Sequence, residues 1–218
     1  MSEARRIAQM PLHLQLDEFQ RVLSTNKTLL KVLELAPQLG LSSWYLAAGS
    51  LSQTVWNHVC GMEPEAGISD YDLVYYDADD LSWEAEDKVI QAGKALFASI
   101  DTEVEIRNQA RVHLWYSEKH GVDCAPHKTL EDGIDSWISN SAMIGVRIRP
   151  GQEDKDKWDI YAPWGISDMF NLVVRPNAIL GTREAFEKKA ARWKGIWPQL
   201  TVHPWPTDKP QAAKEVNE

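Results

Sequence analysis

Apolar and polar positions along the chain follow two periods. Residues 15–38 repeat at helical spacing, with Leu16, Phe19, Val22 and Leu23 on one stripe and Leu29, Val32, Leu33 and Ala36 on a second. Ser24-Thr25-Asn26 separates the two predicted helices, and Pro37 with Gly40 ends the second. Trp44 to Ala48 (WYLAA) is a short apolar run that predicts a buried strand. It stops at Gly49-Ser50, after which SLSQTVWNHVCG reads as a helix with Ser50 or Ser52 near its start. Residues 60–69 (CGMEPEAGIS) form a loop, and Asp70 to Tyr76 the next strand. Asp77, Asp79 and Asp80 mark a turn before the helix SWEAEDKVIQAGKALFAS. Ser82 is its predicted N-cap, with Ala85 where a full capping box wants a glutamate. From Thr102 to Arg107 the pattern alternates, Val104 and Ile106 against Glu103, Glu105 and Arg107, which is the strand period.

The order strand–helix–strand–helix–strand between 44 and 107 predicts a mixed α/β (α+β) core: a mixed β-sheet with flanking helices. Beyond it, ARVHLWYSEKHG predicts a helix or extended segment and TLEDGIDSWI a helix. AMIGVRIRPG and KWDIYAP read as two strands meeting at the polar turn GQEDKDK, and FEKKAARWKGIW as a further helix. One domain is expected over 1–202, with N-terminal helices at 15–38, a core at 41–116 and a C-terminal sub-region at 117–202. The tail 203–218, rich in proline and polar residues, is predicted to be disordered.

Composition and charge bound this picture further. The 218 residues can bury a full core, and 44% hydrophobic with 25% charged content is ordinary for a globular protein. The formal net charge of −9 disfavours binding to long nucleic acid, which needs lysine and arginine to neutralise phosphates. The N-terminus MSEARRIAQMPLHLQL lacks the apolar core of a signal peptide, and no stretch approaches a membrane span. Cys60 and Cys124 have no metal-ligand spacing and read as free thiols of a cytoplasmic protein.

Candidate chemistry centres on GISDYDLVYYD, residues 67–77. Asp70 and Asp72 stand two apart at the start of an apolar strand, so both project to one face, about 6.6 Å apart along the backbone. Composition alone yields roughly five acidic pairs of this spacing by chance, and Asp77 with Asp79, Glu103 with Glu105, and Asp154 with Asp156 are rivals. Context separates the first pair from these. Upstream, Gly49-Ser50 opens a helix, whose N–H groups and positive end can hold a phosphate. Downstream, the third strand carries Glu105 among apolar residues. Three acids beside a phosphate cradle suit a two-metal site, in which hard Mg2+ ions about 4 Å apart stabilise attacking and leaving oxygens together.

AAGSLSQTVWN, SDYDLVYYD and VEIRNQARVHLWY together resemble the nucleotidyltransferase superfamily to which DNA polymerase β belongs, and more closely an uncharacterised bacterial branch of it. APWGISDMFNLVVRPN, residues 162–177, is similar to a further segment of that branch, so the resemblance spans roughly 15–195. It implies a Mg2+-dependent enzyme, with Mn2+ as a substitute, that moves a nucleoside monophosphate from a nucleoside triphosphate to an acceptor hydroxyl. It implies Gly49 and Ser50 on the phosphates, Asp70 and Asp72 as paired metal ligands, and Glu105 as the third carboxylate, catalytic together with the pair. The gap from Ser50 to Asp70 is longer than the superfamily's usual spacing, and the third acid is a glutamate where aspartate is commoner. The acceptor, whether small molecule, protein or RNA end, is not legible.

Other residues carry a weaker signal. Arg111 suits a phosphate clamp and is assigned to nucleotide binding; His113, Asn108 and Gln109 stay open. Glu105 has the alternative of an ion pair with Arg107 or Arg111. Asp168 reads as a helix N-cap rather than a ligand, Arg175-Pro176-Asn177 as a turn, and Trp56, Trp115 and Trp164 as packing, though one could stack on a base. Two other functions compete. One is a nucleotide-binding or regulatory module of the same fold without turnover. The other is a phosphatase of the haloacid-dehalogenase type, which also uses Asp-x-Asp but with a Thr where this chain has Val74.

Overall fold

The structure, a computed structural model, describes residues 3–149, 151 and 157–206. Three helices open the chain: α1 (Glu3–Ala8), α2 (Leu12–Leu23) and α3 (Lys27–Leu35), the last continued by a 3-10 turn over Ala36–Leu39. Asn26 caps α3 by accepting the Leu29 N–H at 2.8 Å. The same buried side chain donates to Thr54 Oγ1 and accepts from the Tyr71 hydroxyl, so one amide joins helix, helix and strand in the core.

Five strands form the main sheet in the order β3-β2-β1-β4-β5. These are β1 (Trp44–Ala47), β2 (Asp70–Tyr75), β3 (Glu103–Asn108), β4 (Gly145–Ile148) and β5 (Trp158–Tyr161). Only β2 and β3 run parallel; the other pairings are antiparallel. A parallel pair needs a crossover, and α5 (Trp83–Leu96) supplies it, with Ser82 Oγ accepting the Ala85 N–H as its cap. Between β1 and β2 runs α4 (Gly49–Cys60), ended by Gly61 at φ +68°. The mixed sheet with flanking helices is the architecture that the alternating periods predict.

The strand period of two divides the sheet's faces. Tyr71, Leu73 and Tyr75 of β2 enter the large core with Leu46, Ile106 and the helical stripes of α2 and α3. On the opposite face, Val74 packs with Tyr45 and Ala47 of β1 and with Leu130 and Ile134 of α7 (Leu130–Asp135). Asp70 and Asp72 share that second face. The segment after β3 is a 3-10 run, Gln109–Leu114, followed by the short helix α6 (Tyr116–His120).

The C-terminal region continues with α8 (Ser167–Phe170), β6 (Val173–Val174), α9 (Arg183–Ile196) and β7 (Thr201–Val202), β6 and β7 pairing in parallel. Indoles fix α9 against α4: the Trp56 ring lies 5.8 Å from Trp193 and 5.2 Å from Trp197, edge to face. Trp197 Nε1 also donates to Asn57 Oδ1 at 2.7 Å. The 60–69 loop is held too, because Asn57 Nδ2 donates to the carbonyls of Pro64 and Ala66.

The predicted tail needs a correction at its start. Residues 203–206 pack rather than stray: the His203 N–H donates to the Val174 carbonyl, and Trp205 lies 5.8 Å from Phe186. An indole with apolar surface to bury outweighs the flanking prolines. The remainder, 207–218, lies outside the described residues, as does most of the turn between β4 and β5. No described helix is long and apolar enough to cross a membrane, and both cysteines are free thiols.

Candidate active site

A cleft of about 380 Å³ opens over the second face of the sheet. Its floor is the β2–β3 pair, whose register places Asp72 opposite Glu105 and Asp70 opposite Glu103. Adjacent strands lie about 4.8 Å apart, so Asp70, Asp72 and Glu105 are neighbours, and all three line the cleft. Burial foremost, then the charges of Asp70 and Glu105, pushes the Asp72 carboxyl up to about 7, against the opposing pull of Lys189 and Arg107. Like charges gathered in a half-buried place favour the protonated form until a cation joins them.

At one end the cleft meets the N-terminus of α4. Ala48, before it, holds φ +62° and ψ −143°, a region that residues with a side chain rarely adopt. This turns the chain sharply from β1 into the helix, leaving Gly49 at the cleft surface. A Cβ on Gly49 would stand 2.6 Å from Gln53 Nε2, so the Gln53 amide lies over the glycine, one turn along, and faces the same space. The Leu51 N–H is taken by the Ala48 carbonyl at 3.3 Å, so it is the Gly49 end of the helix that sits at the lip of a cleft whose floor is acidic.

Opposite the acids stands α9. Ala185, Lys189, Arg192 and Trp193 recur at helical spacing and line the cleft, as do Arg107 of β3 and Lys119 of α6. The loop after α7 (Ser136, Trp137, Ile138, Ser141, Ala142) closes the remaining side. That loop is braced from behind: Asn140 Nδ2 donates to Asp168 at 2.9 Å, Arg175 Nε donates to the same carboxylate oxygen at 2.8 Å, and the Arg175 N–H donates to Asn140 Oδ1. Asp168 thus anchors a wall of the cleft; it lies in the first turn of α8, whose N-cap is Ile166.

A cleft with carboxylates on one side, lysine and arginine on the other and a helix N-terminus at its end accommodates a polyphosphate beside a divalent cation. The donors fit such a cation on two counts: they are hard carboxylate oxygens, and Asp72 stands beside two further carboxylates whose charge outweighs that of Lys189 and Arg107. Among the described residues, no three His, Cys, Asp or Glu side chains already converge as a metal cluster. Glu105 Oε1 is paired with Arg107 at 2.7 Å, the ion pair that its spacing allows.

Comparison with known families then decides the lineage. The model of a family described as nucleotidyltransferase matches residues 34–202. The chain belongs to this nucleotidyltransferase family. A solved NMR structure described as revealing a CCA-adding enzyme head domain is similar in fold, with a TM-score of 0.67 at 21% identity, over 91% of this chain and 100% of that one. No curated protein matches the chain.

Within this nucleotidyltransferase-family chain, two residues expected at the nucleotide, Arg111 and Ser50, do not line the cleft. Arg111 is buried, pairs with Glu86 of α5, donates through Nε to the Leu81 carbonyl at 2.9 Å and stacks over Trp83. A 3-10 run has three residues per turn, which puts Gln109 and Val112 on the cleft edge and Arg111 behind it. Ser50 is buried, with its hydroxyl unpartnered and off the cleft, so of this pair only Gly49 lines it. His113 does not line the cleft either, and its buried Nδ1 has no partner. Trp56 is core, Trp164 is exposed away from the cleft, and Trp115 does line it. The helix over FEKKAARWKGIW is present as α9, but its cationic face was not among the candidates; the signal is Lys189 and Trp193 at i and i+4, which share one face of a polar helix.

Proposed function

We propose that the protein transfers a nucleotidyl group from a nucleoside triphosphate to an acceptor hydroxyl. The observation that carries this reading is the register of Asp72 against Glu105, with Asp70 on the same face and the α4 N-terminus at the edge of the cleft. Asp70, Asp72 and Glu105 would hold Mg2+, or Mn2+ in its place; the cation supplies charge neutralisation at the phosphates. Gly49 and the first N–H groups of α4 receive phosphate oxygens, and Lys189, Arg192 and Arg107 face them from the other side. Glu105 is placed to take the acceptor's proton once Arg107 turns from it to phosphate. The acceptor oxygen attacks the α-phosphorus, the bond to the β-phosphate bridging oxygen breaks, and pyrophosphate leaves. The chain's contribution is positioning and preset charge.

The test is Asp70→Asn with Asp72→Asn, assayed with labelled nucleotides, Mg2+ or Mn2+ and a cell extract as the source of acceptor. Loss of labelled product and of pyrophosphate release is expected; transfer that survives the double change overturns the metal assignment. The Glu105–Arg107 pair favours a second reading, a nucleotide-binding module without turnover. Mg2+-dependent nucleotide binding without pyrophosphate release would select that reading.

A further inference from the structure

The segment that follows β3 presents one continuous face to the cleft. Gln109, Val112 and Trp115 recur every three residues, the period of a 3-10 helix, and Tyr116, Lys119 and His120 extend the face along α6. Its character changes along its length. At the far end Lys119 lies over the Trp115 ring, 5.3 Å from its centroid, and the His120 ring lies tilted against Tyr116, 4.5 Å between centroids. At the near end stands a single amide, Gln109.

Gln109 is 3% exposed, and its carboxamide makes no hydrogen bond among the described residues; Oε1 is buried and unpartnered. Buried polar groups are nearly always paired, because an unpaired one loses its hydrogen bonds to water and gains none in return. The chain nevertheless makes room for this amide. Gly133 sits inside α7, where glycine is unfavourable, and a Cβ there would lie 2.8 Å from Gln109 Oε1. Arg111, Glu86 and Asn108 brace the run from behind: Glu86 accepts the Asn108 N–H as well as the guanidinium, and Asn108 Oδ1 accepts the Ala110 N–H. Oε1 is thus turned against α7, while the Gln109 side chain still borders the cleft without a partner.

Position identifies the ligand. Gln109 lies four residues beyond Glu105 along the strand direction, about 13 Å at strand rise. That span matches the reach from a phosphate at the acids, across a ribose, to the edge of a base. Aromatic and aliphatic surface with one amide is what a nucleobase requires: faces to stack on and one donor to read its edge.

We propose that the face from Gln109 to His120 is the nucleobase subsite and that Gln109 reads the base edge. The proposal rests on the nucleotidyltransferase reading and adds the residue that sets base preference. The amide nitrogen donates to an acceptor on the base edge, and Val112 and Trp115 border the ring.

Binding of ATP, GTP, CTP, UTP and inorganic tripolyphosphate to the full chain with Mg2+ tests this by calorimetry. Wild type is expected to bind at least one nucleotide more tightly than tripolyphosphate. Gln109→Met keeps the length of the side chain and removes the unpaired amide, so its melting temperature should hold or rise. It should weaken the preferred nucleotide roughly tenfold, narrow the spread among the four, and leave tripolyphosphate unchanged. Nucleotide affinities and preference unaltered by the substitution overturn the proposal; so does an equal loss for tripolyphosphate, which would mark a purely structural residue. Should Gln109→Met melt early, Trp115→Leu on the half-buried rim makes the same comparison, with the same two results against the proposal. Tripolyphosphate bound as tightly as every nucleotide removes the base subsite alone. No binding of any of the five removes the nucleotidyltransferase reading with it.

Discussion

Asp72 lies directly opposite Glu105 across the parallel β2–β3 ladder, with Asp70 two residues away on the same face. The chain folds with this repulsion in place, so its stability carries a mark of it. Burial and the two neighbouring carboxylates raise the Asp72 carboxyl from its ordinary 3.8 to about 7. A raised acid means that the native state binds the proton more tightly than the unfolded one. Its contribution is therefore full below about pH 4 and is lost as pH rises through 7. Asp72→Asn should flatten this decline and raise the melting temperature at pH 8 by about 2–4 °C, the effect of ~1 kcal/mol in a chain of this size. Scanning calorimetry of both proteins from pH 5 to 8 measures it; a parallel fall in the two would refute it.

Added Mg2+ should oppose the same repulsion. At pH 8 the wild-type melting temperature should rise with Mg2+ concentration, as binding to the native state alone requires, by about 2.7 kcal/mol at a hundred times Kd. The Asp70→Asn, Asp72→Asn double variant should not respond. Thermal shifts with Mg2+ against an equal ionic strength of NaCl separate binding from screening.

Lys189 and Arg192 should act on phosphate and hardly on the fold, since both project from α9 into the cleft. A hydrogen bond to a charged group contributes about 1.5–3 kcal/mol, so each change to alanine should weaken nucleotide and tripolyphosphate binding alike, by roughly tenfold or more. Titration calorimetry checks this, and an unchanged affinity for tripolyphosphate would remove α9 from the phosphate site.

Arg111 should behave in the opposite way. Removing it leaves Glu86, 2% exposed, as a buried charge without its partner, and breaking such a pair costs about 3–5 kcal/mol. Arg111→Leu should therefore unfold at much lower denaturant, and Glu86→Met added to it should recover most of the loss. Urea melts of the single and double variants test the pairing.

Ala48 is held at φ +62° immediately before the cradle, a conformation that costs a residue with a side chain about 1–3 kcal/mol. Ala48→Gly should raise stability by about 1 kcal/mol after the added freedom of the unfolded chain is counted. Denaturant titration reads the change directly.

The sheet was legible because its signals are local. WYLAA is a buried run, the 103–107 alternation is a strand, and Ser82 caps a helix within three residues of itself. The acids were legible for the same reason, each announced by its own strand. Arg111 was misplaced because neither the strand nor the α-helical period describes a 3-10 run, and a shift of one residue exchanges the cleft side for the core side. Lys189 and Arg192 were passed over because cations on a polar helix look like a solvated surface; only the Trp56–Trp193–Trp197 cluster, made by residues far apart in sequence, turns that surface inward. Gln109 could not be chosen from spacing, since its meaning depends on Gly133 leaving space for it.

That indole cluster also orders the assembly of the site in time. The helix that begins at Gly49 and the helix that carries Lys189 meet through contacts of very long sequence separation, which form late and slowly. During synthesis the acids emerge well before α9, and a nascent chain holds them without their cationic wall. The cationic wall therefore joins the acids only when Trp193 and Trp197 close on Trp56.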